Sequence, residues 1–361
     1  METIVLQLLF SASLSLGAAL ILFPLMIKVS PKIGLVDIPN YRKFHRQPVP
    51  AIGGLVIVLS LIVVSVFSIP AHAFVFGHVA MFTAFVVIMV TGLIDDRLNI
   101  SVYLRLSIQM LCAFAIAYDG TRITSLYGFA GIHHLSLMAQ YLVTIFIITG
   151  ITNAFNLIDG IDGLAGSIAL INMVVLIILS IVMQNTQWLF LLLPLAVALV
   201  IFLKYNWFPA RIFMGDSGSL TFGLVISAAG IAFIQKADTN KSAFIAETIV
   251  LVSGFCMIPV VDAIRVFYTR IKNGKSPFHA DRTHIHHLLT KHYLVHSKAT
   301  ARVLGVHVTV LVLSAISVLY VSIYWVVLLQ IVTVLLYMNF LRMMGYFYRW
   351  YRVIKKMEQA A

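Results

Sequence analysis

The chain has 361 residues, of which 61% are hydrophobic and 11% charged, with a mean hydropathy of +1.01. This composition excludes a soluble globular protein. The apolar runs are long and continuous rather than alternating, which favours membrane-spanning helices over a β-barrel. The net charge of +12 does not indicate nucleic-acid binding, because Lys and Arg concentrate in every second loop. We predict an all-α polytopic integral membrane protein that forms one domain over residues 1–361.

The apolar runs predict about eleven transmembrane helices, each long enough for a hydrocarbon core of about 30 Å. The predicted spans are about 4–27, 51–69, 78–94, 102–118, 137–152, 164–183, 188–205, 218–235, 244–264, 303–320 and 324–341. Of the 25 Lys and Arg residues, only Arg122, Lys236 and Lys241 fall in the less basic set of loops. By the positive-inside rule the basic loops are cytoplasmic, which places the N-terminus in the periplasm and the C-terminus in the cytoplasm.

The segment 153–166, NAFNLIDGIDGLAG, is a polar stretch between two apolar runs. Asp159 and Asp162 are spaced so that, if the segment enters a helix, they lie on one face about 5–6 Å apart at Cβ. Asn156 joins the same face. Oxygen donors of this kind suit Mg²⁺ and phosphate. The alternative is an ordinary turn, since Asn, Asp and Gly all favour turns. Carboxylates at the end of a membrane helix favour a functional site instead.

Two adjacent carboxylates, Asp95 and Asp96, follow the third predicted span. On a helix they point about 100° apart, so one can face a neighbouring helix and the other a ligand. A hydrated helix end is the alternative. Two acids at a helix C-terminus oppose the macrodipole, however. A bound cation, a diphosphate with its Mg²⁺, or Arg97 and Arg105 would offset that cost.

The segment MGDSGSL, residues 214–220, places Asp216 between two glycines where the eighth span begins. Asp216 or Ser217 can cap this helix, and the exposed N–H groups at its start can meet an anion. The alternative is a helix cap without a ligand. A serine-protease site is excluded, because that chemistry needs His and Asp partners on a different scaffold. Just upstream, Asn206 can pair with a base edge and Phe213 can stack on one.

Two basic loops offer groups for phosphate. The first contains Lys43, His45 and Arg46, for which ordinary positive-inside topology is the alternative explanation. The second contains Arg282, His284, His286 and His287. Their spacing lacks the pattern of zinc-binding helices, whereas imidazoles beside an arginine suit phosphate oxygens. The C-terminal RMMGYFYRWYRVIKK predicts an interfacial amphipathic helix attracted to anionic membrane lipid.

Four motifs therefore stand in order on the predicted cytoplasmic side. They are DDR (95–97), NAFNLIDGIDGLAG (153–166), YNWFPARIFMGDSGSL (205–220) and SPFHADRTHIHHLL (276–289). This set resembles the polyprenyl-phosphate N-acetylhexosamine-1-phosphate transferase family over about residues 30–290. Within the family, DRTHIHH and RKFHRQPVPAIGG resemble the branch that joins undecaprenyl phosphate to GlcNAc-1-phosphate. The muramoyl-pentapeptide branch usually has three consecutive histidines and ten spans, and Ile285 departs from that pattern.

The resemblance implies Mg²⁺-dependent transfer of GlcNAc-1-phosphate from UDP-GlcNAc to undecaprenyl phosphate, releasing UMP, at a bacterial inner membrane. Mn²⁺ is the alternative metal. The implied role is to start O-antigen or enterobacterial common antigen synthesis. Another UDP-HexNAc or UDP-MurNAc-pentapeptide is the alternative donor, and a homodimer is left open. We favour direct attack by the lipid phosphate over a phosphorylated aspartate, because a metal already supplies positioning.

The resemblance also implies roles for individual residues. The metal ligands would be Asp216 and Asp159. The catalytic carboxylates, which remove a proton or position the lipid phosphate, would be Asp95, Asp96 and Asp159. The uridine would be held by Asp162, Asn206 and Phe213. The diphosphate or sugar would be held by Arg282, His284, His286 and His287. Further substrate-binding residues would be Asn156, Lys43, His45 and Arg46.

The alternative from another functional class is a cation- or proton-coupled transporter, which would also place acids and histidines among helices. Transporters usually bind their substrates and coupling ions near the bilayer midplane and are built from repeated halves. Here the acidic motifs lie at predicted cytoplasmic helix ends, and the sequence shows no internal repeat. The sequence therefore favours the transferase.

Overall fold

The computed structural model describes residues 2–39, 47–276, 284–290 and 295–358. These residues are largely helical, as predicted, with one additional pair of two-residue antiparallel strands, β1 (Val36–Asp37) and β2 (Val49–Pro50). The helices are α1 (Glu2–Ile33), α2 (Gly53–Phe67), α3 (Ile69–Gly77), α4 (Val79–Leu98), α5 (Val102–Tyr118), α6 (Leu137–Ile158), α7 (Leu164–Val182), α8 (Leu189–Asn206), α9 (Gly215–Thr239), α10 (Ile245–Lys272), α11 (Ile285–Thr290), α12 (His296–Ser317) and α13 (Ile323–Glu358).

Within the described ranges, nine helices are long and apolar enough to cross a membrane, or ten if α2 and α3 form one broken span. The remaining predicted span, about 102–118, corresponds to α5, which has 17 residues. The break between α2 and α3 bends the chain by 108°. It follows from extended backbone at Ser68 and from Pro70, which favours the first turn of a new helix. Residues 69–77 are therefore helical, where a connection was predicted.

Several helices continue past the apolar runs that predicted them. α6 extends to Ile158 and α10 to Lys272, and α10 contains Pro259 without interruption. The C-terminal segment predicted as an interfacial amphipathic helix is helical and continues α13, which has 36 residues. Hydropathy marks where a helix meets lipid, but the backbone hydrogen bonds of a helix continue through its polar end.

The centre of the bundle is α9. Within its apolar 18-residue stretch, 94% of the residues are buried. It packs against α2, α4, α6, α7 and α10. The sequence of α9 explains this position, because it is rich in small residues that let neighbouring backbones approach closely. The buried small residues of α9 are Ser217, Gly218, Ser219, Thr221, Gly223, Ser227, Ala228, Ala229, Gly230 and Ala237.

The start of α9 touches two other helices backbone to backbone. Gly92 of α4 faces the main chain of Ser217, and Gly54 of α2 faces the main chain of Gly218. A Cβ atom at either glycine would overlap those main-chain atoms. One turn after Gly92 on the same face of α4 lies Asp96, because residues four apart share a helix face. The glycine contact therefore brings a carboxylate to the N-terminus of α9.

Substitution of Gly92 tests this contact. Gly92→Ala should lower the free energy of unfolding by about 1–3 kcal/mol, as overpacking of a close contact usually does. The measurement is the thermal unfolding midpoint of the purified protein in detergent. Gly17→Ala is the matched control, since a Cβ on Gly17 of α1 meets nothing within 4 Å. Equal midpoints for Gly92→Ala and wild type would contradict the predicted contact.

Candidate active site

Asp96 caps the central helix from a different element. Its Oδ1 accepts the main-chain N–H of Asp216 at 2.9 Å, and its Oδ2 accepts that of Ser217 at 3.4 Å. Asp216 or Ser217 was predicted to cap α9 itself. That prediction is wrong, because α9 begins at Gly215 after Met214, and no side chain at the N-cap bonds to the helix. The close approach permitted by Gly92 lets α4 supply the acceptor instead.

Asp216 also bonds to α6 and α5. The Asn156 carboxamide donates to Asp216 Oδ1 at 2.9 Å and to Ser219 Oγ at 2.9 Å. Arg105 Nη1 lies 3.2 Å from Asp216 Oδ2 and 2.5 Å from Asp95 Oδ2. Asp95 is 7% exposed, so this guanidinium supplies the counter-charge that a nearly buried carboxylate needs. The structure thus joins α4, α5, α6 and α9 through three carboxylates, one carboxamide and one guanidinium.

Asp159 belongs to the same acidic cluster but not to a helix face. We expected Asn156, Asp159 and Asp162 on one face if the segment entered a helix. That expectation is wrong beyond Asn156, because α6 ends at Ile158, α7 begins at Leu164, and Gly163 adopts a φ of 75° that favours glycine. Burial, followed by the charges of Asp216, Asp96 and Asp162, raises the pKa of Asp159 to about 8.

The donor types of this cluster suit a divalent cation, since carboxylate oxygens are what Mg²⁺ prefers. Asp216 and Asp159 could hold such an ion between α9 and the 159–163 turn. Among the described residues, no group of three or more His, Cys, Asp or Glu side chains already stands in a metal-holding arrangement. The Arg105 guanidinium lies against Asp95 and Asp216.

Two residues predicted to contact uridine tie neighbouring loops together. Asp162 Oδ2 accepts the Ala210 N–H at 3.0 Å, and Asp162 Oδ1 lies 3.1 Å from His296 Nδ1. Asn206 is 5% exposed, accepts the Gly163 N–H at 2.9 Å and donates to the Ile212 carbonyl at 2.8 Å. Both side chains therefore shape the loops on either side of the acidic cluster. A base-binding role for either one remains a prediction.

The third predicted uridine contact, Phe213, lies on the loop that leads into α9. Its N–H donates to the Pro50 carbonyl at 2.8 Å, and its carbonyl accepts the Gly53 N–H at 2.9 Å. These bonds fasten the first basic loop to the 207–214 loop beside Asp216. The predicted substrate-binding residues Lys43, His45 and Arg46 lie outside the described residues.

Of the histidine-rich motif, the structure describes the side chain of His284, which is 6% exposed. Arg282 and the side chains of His286 and His287 lie outside the described residues. His284 Nδ1 lies 2.9 Å from Oδ2 of Asp262, a residue of α10 that lies outside the four motifs. A carboxylate within the apolar run 244–264 was the available signal, because ionisable groups in membrane segments are functional candidates.

A groove of about 780 Å³ runs between α5, α6 and α10. Arg105 and Asn156, which both contact Asp216, lie at its polar end, and Arg270 also lines the groove. Its remaining wall is mainly apolar and includes Met110, Leu142, Ile145 and Phe146. From Asn156 back to Leu142 along α6 is about 21 Å at 1.5 Å per residue. Phe146 is 78% exposed, so the groove opens sideways, toward the surface that faces lipid.

These features define a polytopic membrane protein with an acidic site at one end of its helix bundle and a lipid-facing groove that leads to it. Residues 78–234 match the family Glycosyl transferase family 4. The chain belongs to this family, whose members include the polyprenyl-phosphate N-acetylhexosamine-1-phosphate transferases.

Curated relatives resemble most of the chain. A probable undecaprenyl-phosphate N-acetylglucosaminyl 1-phosphate transferase of Bacillus subtilis (strain 168) is 32% identical over 285 residues, 78% of this chain and 77% of its own. An undecaprenyl-phosphate alpha-N-acetylglucosaminyl 1-phosphate transferase of Yersinia pestis is 32% identical over 277 residues, 73% and 72% respectively. A decaprenyl-phosphate N-acetylglucosaminephosphotransferase of Mycobacterium tuberculosis (strain ATCC 25618 / H37Rv) is 30% identical over 283 residues, 72% and 70%.

The cap supplied by Asp96 can be tested by stability. Asp96→Ala should cost about 0.5–2 kcal/mol of stability, the usual effect of removing a helix cap. Asp96→Asn should cost less, because a carboxamide keeps one accepting oxygen for the Asp216 and Ser217 N–H groups. Thermal unfolding midpoints in detergent would be compared with Asp119→Ala, a substitution at an exposed carboxylate after α5. An Asp96→Ala protein as stable as wild type would refute the cap.

Proposed function

We propose that this protein transfers GlcNAc-1-phosphate from UDP-GlcNAc to undecaprenyl phosphate, giving undecaprenyl-diphosphate-GlcNAc and UMP. An oxygen of the lipid phosphate attacks the sugar-bearing phosphorus of UDP-GlcNAc. The bond from that phosphorus to the oxygen bridging it to the UMP phosphate breaks, and UMP leaves with that oxygen. The product would begin a lipid-linked glycan of the O-antigen or enterobacterial common antigen type. Relatives whose names state the GlcNAc-1-phosphate reaction support this choice of sugar.

The observation that carries the proposal is the groove, because its polar end meets the acidic cluster. A polyprenyl chain is apolar and its phosphate is anionic. The apolar wall formed by Met110, Leu142 and Phe146 suits the chain, and the guanidinium groups of Arg105 and Arg270 suit the phosphate. One substrate then arrives from the membrane while the nucleotide arrives from water. This requires a site at the membrane surface, which we assign to the cytoplasmic face of a bacterial inner membrane.

The acidic cluster would position the phosphates. Asp96 is held by two main-chain N–H groups, so it fixes α9 and with it the position of Asp216. Asp95 shares Arg105 with Asp216, which couples the lipid phosphate end of the groove to the start of α9. Mg²⁺, or alternatively Mn²⁺, held by Asp216 and Asp159 would neutralise charge on the diphosphate as it transfers. Direct attack by the lipid phosphate fits this positioning role better than a phosphorylated aspartate.

The nucleotide would lie over the loops that Asp162 and Asn206 tie together. We assign the uracil to Asp162 and Phe213. Asn206 supports this pocket through its bonds to the main chain of Gly163 and Ile212. We assign the diphosphate and sugar to Asn156 and His284, together with the basic residues outside the described ranges: Lys43, His45, Arg46, Arg282, His286 and His287. A protein of this kind needs no nucleic acid partner. The possibility of a homodimer is left open.

The reaction can be tested by measuring UMP release from purified protein supplied with undecaprenyl phosphate and a panel of UDP-sugars. UDP-GlcNAc should give UMP and a lipid-linked product at the highest kcat/KM. Higher kcat/KM with UDP-GalNAc or UDP-MurNAc-pentapeptide would move the protein to another branch of the family. Absence of UMP with every sugar would reject the transferase. Excess chelator should abolish UMP release, and added Mg²⁺ should restore it.

The groove can be tested by filling it. Gly150 lies on α6 in the groove wall, and a Cβ there meets nothing within 4 Å. A side chain at this position would therefore enter the groove. Gly150→Leu should raise the KM for undecaprenyl phosphate about tenfold, equivalent to about 1.4 kcal/mol, and leave the KM for UDP-GlcNAc unchanged.

Gly305→Leu is the matched control for Gly150→Leu, because Gly305 lies in open space on α12, away from the groove. It should behave as wild type in the same UMP-release assay. If Gly150→Leu keeps the wild-type KM for the lipid, the polyprenyl chain does not lie in this groove.

A further inference from the structure

The turn between α6 and α7, residues 159–163, carries two of the carboxylates assigned to the site. Asp159 lies close enough to Asp216 and Asp96 to be affected by their charges, and Asp162 is assigned to the uracil. A turn lacks the continuous hydrogen-bond ladder of a helix, so bonds from neighbouring elements decide how firmly it is held. The elements that hold this turn therefore also determine where its carboxylates lie.

The start of α12 supplies one such bond. Thr300 is buried, and its hydroxyl donates to the main-chain carbonyl of Asp162 at 2.8 Å. One turn earlier on the same face of α12, His296 Nδ1 lies 3.1 Å from Asp162 Oδ1. The centroid of the His296 ring lies 5.6 Å from that of the Phe208 ring. The start of α12 thus contacts both the main chain and the side chain of Asp162.

The Thr300 hydroxyl differs from most helical threonines in where it donates. A hydroxyl carries one hydrogen, so it donates one hydrogen bond. In a helix this hydrogen is commonly given to the carbonyl four residues earlier. Eight other threonines do so: Thr91, Thr152, Thr221, Thr239, Thr248, Thr269, Thr309 and Thr333. Thr300 instead donates to a different element, so its hydroxyl ties α12 to the 159–163 turn.

A second helix holds the next residue of the turn. Asn206, at the end of α8, accepts the N–H of Gly163 at 2.9 Å. Bonds from α12 and α8 thus hold consecutive residues, Asp162 and Gly163. Because α12 begins soon after the histidine-rich motif, the Thr300 bond also joins the chain after that motif to the end of the NAFNLIDGIDGLAG motif. The two motifs are linked through a single buried hydroxyl.

We propose that Thr300 is a positioning residue of the nucleotide site. Its hydroxyl fixes the main chain at Asp162, which holds the Asp162 side chain at the uracil and Asp159 beside the acidic cluster. The inference rests on the proposed function, which places the nucleotide over this turn. Thr300 touches no reacting atom and acts through the turn.

The hydroxyl can be removed with little change of shape. Thr300→Val leaves the Asp162 carbonyl without this donor, so kcat/KM for UDP-GlcNAc should fall about tenfold, as expected when a buried group loses its hydrogen-bond partner. The KM for undecaprenyl phosphate should stay at the wild-type value, because the groove does not include this turn. Thr300→Ser keeps the hydroxyl and should restore kcat/KM to near the wild-type value.

Thr309→Val is the matched control. Thr309 is exposed on the same helix, and its hydroxyl donates to the Gly305 carbonyl within α12. This variant should behave as wild type in the UMP-release assay. A wild-type kcat/KM in Thr300→Val would overturn the proposal, and so would a loss that Thr300→Ser shares.

A second measurement does not depend on catalysis. Hydrogen–deuterium exchange of the peptide that covers residues 159–166 should be faster in Thr300→Val than in wild type, Thr300→Ser or Thr309→Val, because the turn loses its bond to α12. If wild-type protein releases no UMP, the proposed function fails, yet this comparison still tests the attachment. Unchanged exchange in Thr300→Val would overturn the positioning role.

Where Thr300→Val does not accumulate in membranes, Thr300→Ser and Thr300→Ala are compared instead. These two variants differ from each other only in the hydroxyl. Thr300→Ser should have a kcat/KM for UDP-GlcNAc about tenfold above that of Thr300→Ala, for the same reason. Equal values in the pair would show that the hydroxyl does not control the turn.

Discussion

The main-chain contact between the start of α9 and its neighbours α2 and α4 is the constraint on which the site depends. Free N–H groups at the start of a helix need acceptors, and hydrocarbon supplies none. Gly54 and Gly92 let the backbones touch, and the Asp96 carboxylate then satisfies two of those N–H groups. The same close packing of backbones therefore satisfies N–H groups at the start of α9 and places Asp96 beside Asp216.

The cost of this arrangement is electrostatic. Asp95, Asp96, Asp159 and Asp216 gather at one end of the bundle, where burial and the neighbouring negative charges oppose the ionisation of Asp159. The raised pKa of Asp159, about 8, is one result. The structure offsets part of this repulsion with the Arg105 guanidinium, and the N-terminal end of α9 favours negative charge. A site that concentrates negative charge in this way selects for cations and for substrates that arrive with them.

Much of the fold was predictable from the sequence. The helical class and the locations of most apolar helices follow from composition and spacing. The helix ends were less predictable, because the backbone continues through polar residues, as at the end of α6. The 159–163 turn was predicted only as the alternative to a helix, since three-residue spacing is compatible with either one. Gly163 was the residue that indicated a turn, because glycine readily adopts the positive φ found there, beside the Trp207 ring.

The parts of the site that depend on long-range packing could not be predicted from the sequence. The bond from Asp96 to the start of α9 requires knowledge of which helices touch, and no local pattern records this. Asp262 was overlooked because it lies in an apolar run without a motif around it. Its charge alone was the available signal. Asn206 was predicted to pair with a base edge, and in the structure its polar atoms bond to the main chain.

The sideways opening of the groove between α5, α6 and α10 has a consequence for how concentration is defined. An occupant that enters past Phe146 comes from the plane of the bilayer, so it arrives by two-dimensional diffusion. Saturation is then set by the mole fraction of polyprenyl phosphate among the surrounding lipids, not by its amount per volume of solution. Diluting the membrane with inert lipid would slow such a protein even when every molecule of substrate remains present.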